Sequence, residues 1–349
     1  MIESLTLVQM LVVATVTFLV AMAFTPIVTK ILYKYKLGKT IRDAKEAPIF
    51  YRLHKKKSGT PTMGGVVVWI PVLAVALLLH QLATWSPDLD WLDFLSREET
   101  WLPLGALVAS ACVGLVDDYL NTRGIGGHGG GLRVRHRLAI YTAIAFVGAW
   151  WFTFKLDWDL LHVPFFGTFN IGLWYALFFL VVIVATSFSV NQTDGLDGLA
   201  GGTLLTSFTA YGVIALLQGR EDLAVLCAAI AGGLLAFLWF NINPARFFMG
   251  DTGSMSLGVT LGIVAMLTNQ ALLLPLIGLV FVIEMASSIL QMTSKKLRKK
   301  KVLLSSPLHH HYEAVGWPEP KIVMRAWVIS MVVAGLGVAL AILDLGIPV

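Results

Sequence analysis

Two carboxylates lie where the chain is otherwise apolar, in the stretch V-N-Q-T-D-G-L-D-G-L-A-G-G over 190–202. An ionisable group in or beside a bilayer is costly, and such groups mark ion and substrate sites. Asp194 and Asp197 stand three apart, so a helical segment would put both on one face. A second pair, Asp117 and Asp118, closes another apolar run in G-L-V-D-D-Y-L. Neighbours on a helix project about 100° apart, so one of the pair can face a site while the other braces it. Asp251 sits between glycines in N-I-N-P-A-R-F-F-M-G-D-T-G-S, just ahead of Thr252 and Ser254. That position suits a ligand or the cap of a helix.

Cations and histidines accompany the carboxylates. The segment H-K-K-K-S-G-T-P-T-M-G-G over 54–65 offers lysines, Lys57 nearest the turn, and hydroxyls such as Thr62. At a helix entrance such groups receive an anion. A glycine loop, R-G-I-G-G-H-G-G-G, leads to Arg133, Arg135 and Arg137. P-L-H-H-H-Y-E puts His309, His310 and His311 in sequence, which a regular helix or strand cannot turn onto one metal. Each feature also has an ordinary reading as membrane anchor, cap or polar turn. Their gathering is less ordinary.

The chain has no H-E-x-x-H, no cysteine cluster and no glycine-lysine phosphate loop, which argues against zinc hydrolysis and nucleoside-triphosphate chemistry. Cys112 and Cys227 lie inside apolar runs and read as small core residues. Aspartates with glycine turns and cations suit Mg²⁺, which binds through one or two carboxylates plus substrate phosphates. The chemistry implied is a Mg²⁺-dependent reaction of a phosphorylated substrate at a membrane surface. A lipid entering sideways between helices suits the second substrate.

The elements that must position these groups are membrane helices. Of the 349 residues 57% are hydrophobic and 13% charged, about half the charge of a soluble domain. A spanning helix needs roughly 20 mostly apolar residues. Ten runs qualify: 5–29, 63–83, 102–119, 137–154, 171–190, 199–217, 222–241, 253–268, 271–292 and 326–343. The ninth contains Pro275 and Glu284 and is expected to be broken or tilted. The N-terminal run lacks a basic leader and reads as a first membrane helix, not a signal peptide. No soluble domain fits between the runs, so residues 1–349 form one integral membrane unit.

With ten crossings, all but three of the 26 Lys and Arg fall on one side; Arg97, Lys155 and Arg220 are the exceptions. Basic connections stay cytoplasmic. Both termini are therefore expected outside, and every chemical motif above inside. The net charge of +5 belongs to that inner face, which suits anionic headgroups and an anionic substrate, not nucleic acid.

G-T-P-T-M-G-G, V-D-D-Y, N-Q-T-D-G-L-D-G-L-A, F-M-G-D-T-G-S and P-L-H-H-H-Y-E-x-x-G-W-P-E-P-K occur in this order along nearly the full length. Together they resemble the phospho-N-acetylmuramoyl-pentapeptide transferase (MraY) family, within the polyprenyl-phosphate N-acetylhexosamine-1-phosphate transferases. The resemblance implies an all-α bundle of ten membrane helices, usually a dimer, with Mg²⁺ as cofactor. It implies transfer of phospho-MurNAc-pentapeptide from its UDP conjugate to undecaprenyl phosphate, giving lipid I and UMP in the bacterial inner membrane.

By the same resemblance Asp251 is the principal Mg²⁺ ligand, and Asp117 and Asp118 are the essential pair. Asp117 is the candidate for deprotonating the lipid phosphate, with a covalent phospho-aspartate as the other route. Asn191, Asp194, Asp197, Asn241, Phe248 and Gln291 match the uridine and metal-proximal set, with Phe248 as a stacking face. Lys57, Thr62, Arg137 and His309 to His311 match groups that meet the diphosphate or sugar, His309 as a catalytic candidate. Two departures stand out. Asn121 replaces a usual Lys, with Arg123 as a substitute cation, and Arg137 replaces a common Lys, keeping charge but not geometry. The sister transferases of GlcNAc-1-phosphate share the aspartates but lack the full histidine signature. A transporter would place its charges near the midplane between repeated halves, and no internal repeat is visible.

Overall fold

The computed structural model describes residues 4–38, 48–96, 99–126 and 130–346. Arg97, Glu98, the centre of the glycine loop at 127–129 and the side chain of Lys56 lie outside the described residues. Helices α1 (Ser4–Lys34), α2 (Pro48–His54), α3 (Val66–Trp85), α4 (Trp101–Thr122) and α5 (Val134–Phe154) come first. A hairpin of β1 (Leu160–Val163) and β2 (Gly167–Asn170) follows. Then come α6 (Trp174–Thr193), α7 (Leu199–Leu217), α8 (Glu221–Asn241) and α9 (Asp251–Leu267). The chain closes with α10 (Leu274–Ile277), α11 (Leu279–Arg298), α12 (Leu308–Val315) and α13 (Glu319–Asp344).

Eight of these helices are long and apolar enough to cross a membrane, so the chain is a polytopic, largely α-helical membrane protein. All ten apolar runs fall on helices, but two of them miss spanning length as single rods. α9 has 17 residues, and α10 and α11 meet at an 81° bend. The break was expected from Pro275, and it falls at Gly278, which interrupts the helix between Ile277 and Leu279. The all-helical expectation also needs one correction. The connection after α5 forms an antiparallel ladder pairing Leu160 with Asn170 and Val163 with Gly167.

α9 is the hub. Every residue from Thr252 to Leu267 is buried, and α4 and α6 pack along it. Small residues allow that approach. A methyl group on Gly65 would sit 2.3 Å from the Gly253 Cα, so the starts of α3 and α9 meet backbone to backbone. Peripheral helices instead turn apolar side chains outward, as at Leu11, Phe146 and Val328.

The helices alternate in direction, so polar contacts separate to two ends. One end holds Gln9 on Asp93, Arg220 against Glu99, and Asp344 gripping the hairpin through His162 and Phe165. The other end collects the last turns of α4, α6, α8 and α11 with the first turns of α5, α7, α9 and α13. Every chemical motif of the sequence lies there.

Candidate active site at the start of the central helix

Gly250 sets the geometry. It adopts φ 74°, and a Cβ there would lie 2.4 Å from an Asp118 carboxylate oxygen and 2.7 Å from the Thr62 hydroxyl. Only glycine admits both that backbone and that proximity. The turn launches α9 with Gly250 as its N-cap and Asp251 as its first residue. The Asp251 carboxylate reaches sideways. Asn191 donates to Oδ1 at 2.8 Å, and Arg137 Nη1 lies 2.9 Å from Oδ2.

Arg137 is a bridge between two acids. Its Nε stands 2.6 Å from Asp117 Oδ2, while Asp117 Oδ1 accepts the Leu132 backbone N–H. Asp118 turns the other way and accepts from the Thr252 backbone N–H at 3.1 Å. The neighbouring pair thus divides its work across two sides of α4, one facing Arg137 and one bracing the start of α9.

Asp194 and Asp197 do not share a helical face. α6 ends at Thr193, and residues 194–198 form a turn that separates the two carboxylates. Asp194 accepts from the Gly250 N–H at 3.2 Å. Asp197 Oδ1 pairs with Lys57 at 2.7 Å, and its Oδ2 accepts from Asn243 and the Ala245 N–H. Lys57 is held a second time, by Glu319 at 2.6 Å, with its ammonium 5.8 Å above the half-buried Phe248 ring. Asn241 links the same region by accepting from Gly198 N–H and donating to the Phe247 carbonyl.

The three histidines part company, as adjacent residues on a helix must. His309 Nδ1 meets Glu284 at 2.9 Å, and His311 Nδ1 accepts from the Leu304 N–H at 3.2 Å. His310 Nδ1 meets Glu313 Oε2 at 2.7 Å, where His54 Nε2 also arrives at 3.1 Å. Burial and the adjacent His309 push His310 down to about 3, so it stays neutral. Burial works to raise Glu313, but hydrogen bonds from His310 and His54 outweigh it and hold the carboxyl at about 2. These N···O separations are hydrogen bonds, and the trio ties α2 to α12. Gln291 is committed elsewhere, accepting from Val302 and Leu303 N–H and donating to the Leu303 carbonyl.

Five participants were not singled out as site residues from the sequence: His54, Glu284, Glu313, Glu319 and Asn243. Glu284 had a signal, a lone acid inside an apolar run. Glu313 and Glu319 stood in the histidine signature without a separable role, and Asn243 gave no signal of its own.

Residues 57–67 match a model of the phospho-N-acetylmuramoyl-pentapeptide-transferase signature 1, and residues 100–269 match that of glycosyl transferase family 4. A phospho-N-acetylmuramoyl-pentapeptide-transferase of Chloroflexus aggregans is 39% identical over 89% of this chain and 83% of its own length. The protein of that name from a Geobacillus strain is 38% identical over 95% of this chain and 97% of its own. One from Listeria welshimeri is 38% identical over 94% and 96%. The chain belongs to the phospho-N-acetylmuramoyl-pentapeptide-transferase family. It is therefore an enzyme, a membrane-embedded transferase.

The two positions read from the sequence as departures, Arg137 and Asn121, have definite surroundings. Arg137 bridges Asp117 and Asp251 with two different nitrogens, which a lysine's single ammonium would do less directionally. Asn121 lies against Gly130 and Gly131 of the same loop that feeds Leu132 to Asp117. Arg123 lies over the exposed Tyr119 ring.

Proposed function

We propose that this chain transfers phospho-MurNAc-pentapeptide from UDP-MurNAc-pentapeptide to undecaprenyl phosphate, releasing UMP and forming lipid I for peptidoglycan synthesis. The observation that carries this reading is the Asp117–Arg137–Asp251 bridge at the start of the buried α9. It concentrates anionic oxygens and a cation at one point, as phosphoryl transfer requires.

The donor set fits a hard divalent ion. Asp117 and Asp251 offer carboxylate oxygens on either side of one guanidinium, while Asp118 braces the Thr252 N–H beside them. Asp251 would hold Mg²⁺, with the Asp117 carboxylate across the Arg137 guanidinium from it. Bound there, the ion would offset the negative charge of the diphosphate.

The residues then divide the reaction. Phe248 offers its ring to uracil, with Lys57, Asp197 and Asn241 shaping the surrounding turn. Asn191 and Asp194 fix the carboxylate of Asp251 and the backbone at Gly250. Thr62, Arg137, His310 and His311 meet the diphosphate or the sugar, and Gln291 holds the loop before α12 in place. Asp117 accepts any proton still on the lipid phosphate. An oxygen of that phosphate attacks the phosphorus nearest the sugar, the bond from this phosphorus to the bridging oxygen breaks, and UMP departs with the electron pair. His309 steadies the charge that develops on the diphosphate. A phosphate oxygen is already a competent nucleophile, so direct attack needs positioning and charge balance more than covalent help.

The same reading places ten crossings in the bacterial inner membrane as one unit of residues 1–349, with the site facing the cytoplasm and two copies forming a dimer. The charge bias of the connections supports the orientation, and the family resemblance supports the dimer. Direct attack has a specific consequence. Mixing purified protein with Mg²⁺ and UDP-MurNAc-pentapeptide, without lipid, should release no UMP, and adding undecaprenyl phosphate should start its release. A burst of UMP equal to the enzyme concentration before lipid is added would show a covalent intermediate.

A further inference from the structure

Glu284 lies in the bent segment of α10 and α11, 6% exposed, in a stretch otherwise fit for a bilayer. A carboxylate there is expensive unless it has a partner. Its partner is His309. The same oxygen, Oε2, faces both Nδ1 of the ring at 2.9 Å and the backbone N–H at 3.3 Å. A backbone N–H is always a donor, so with Glu284 ionised that oxygen accepts from both groups and Nδ1 carries its hydrogen toward it. Ser287 adds a second hold on the start of α12 by accepting the Leu308 N–H at 2.9 Å.

That leaves Nε2 as the working atom. His309 is 1% exposed, and among the described residues Nε2 has no hydrogen-bond partner. It points at Gly195, where a methyl group would lie 2.2 Å away. Gly195 sits in the turn between Asp194 and Asp197, beside the carboxylates that brace Gly250 and Lys57. A buried nitrogen aimed at this turn without a partner is unfinished business for the protein alone. The groups that surround the ring are Glu284 from α11 and His310 at 4.1 Å between centroids, with Glu313 and His54 behind His310.

We propose that Glu284 is a positioning residue for the transferase reaction, fixing His309 in the Nδ1–H form so that Nε2 meets the substrate beside the 194–197 turn. In the neutral ring Nε2 then offers a lone pair; in the protonated ring it donates to a phosphate oxygen, with the buried carboxylate balancing the charge. The inference rests on the proposed role of His309. Carboxylates that orient ligand histidines in this way are typically worth 10- to 100-fold.

A double-mutant cycle in detergent-solubilised full-length protein separates positioning from mere packing. Glu284→Gln should lower kcat on the order of 10- to 100-fold while leaving KM for the nucleotide sugar within about twofold. In the His309→Ala background the same change should cost nothing further. Glu284→Asp, which keeps the charge with shorter reach, should recover part of the loss, and it serves in the same cycle if Glu284→Gln does not purify folded. Equal losses in both backgrounds, or full activity of Glu284→Gln, would overturn the proposal. Full activity of His309→Ala alone would instead overturn the role of His309 in the transfer.

Discussion

Replacing Asp251 with alanine should reduce turnover by about a thousandfold or more, with the protein still folded. The side chain is partly exposed at the first turn of α9 and lies outside the apolar core, so its loss removes little packing. It does remove the acceptor for Asn191 and one end of the Arg137 bridge. Arg137 then faces Asp117 alone, and the site loses the oxygen proposed to hold Mg²⁺ closest to the diphosphate. A thermal midpoint near that of the parent chain, with UMP release at background, is the expected pair of results. Near-normal turnover that still depends on Mg²⁺ would sink the metal assignment.

Asp117→Asn should be nearly as severe, lowering kcat about 10²- to 10⁴-fold, the range for a positioned proton acceptor. The amide can still accept the Leu132 N–H, so the loop after the glycines should stay in place. What disappears is the charge beside Arg137 Nε. KM for UDP-MurNAc-pentapeptide should change little, because Lys57, Phe248 and Asp197 lie on other elements. A defect confined to KM, with kcat intact, would assign Asp117 to nucleotide binding. Asp118→Asn tests a different role. Asp118 accepts the Thr252 N–H, which the amide oxygen of Asn can still do, so this variant should keep α9 in place and lose far less turnover than Asp117→Asn.

Much of the site was legible because its residues break local rules. Asp117, Asp118, Asp194 and Asp197 are acids at the ends of apolar runs, and Asp251 stands between glycines ahead of another. The alternation of basic and non-basic connections put them at one end, and the helices do gather them there. What failed was local inference carried one step too far. A spacing of three suggested a shared face for Asp194 and Asp197, but α6 stops at Thr193 and the two acids diverge. The hairpin after α5 has no strong alternation, and its strands hold by pairing and by Asp344, which lies almost two hundred residues away.

Long-range partnerships were the other blind spot. Nothing at Glu319 announces that it will meet Lys57 across 262 residues, nor at Glu313 that it will meet His54 across 259. Glu284 was visible only as an interruption, because its partner His309 lies beyond a basic segment of unrelated character. Gln291 carried a family match to the uridine set, yet its amide supports the loop that delivers α12. Motifs specify which residues matter, and packing decides what each one touches.

The identity of the donor can be tested in one assay. Purified protein in detergent, with undecaprenyl phosphate and Mg²⁺, is offered UDP-MurNAc-pentapeptide and UDP-GlcNAc in parallel, and UMP release is followed. Release with the muramoyl donor alone is the expected result, and it should vanish on chelation of the metal. Release with UDP-GlcNAc alone would overturn the muramoyl assignment and make this chain a GlcNAc-1-phosphate transferase carrying a muramoyl-type histidine motif.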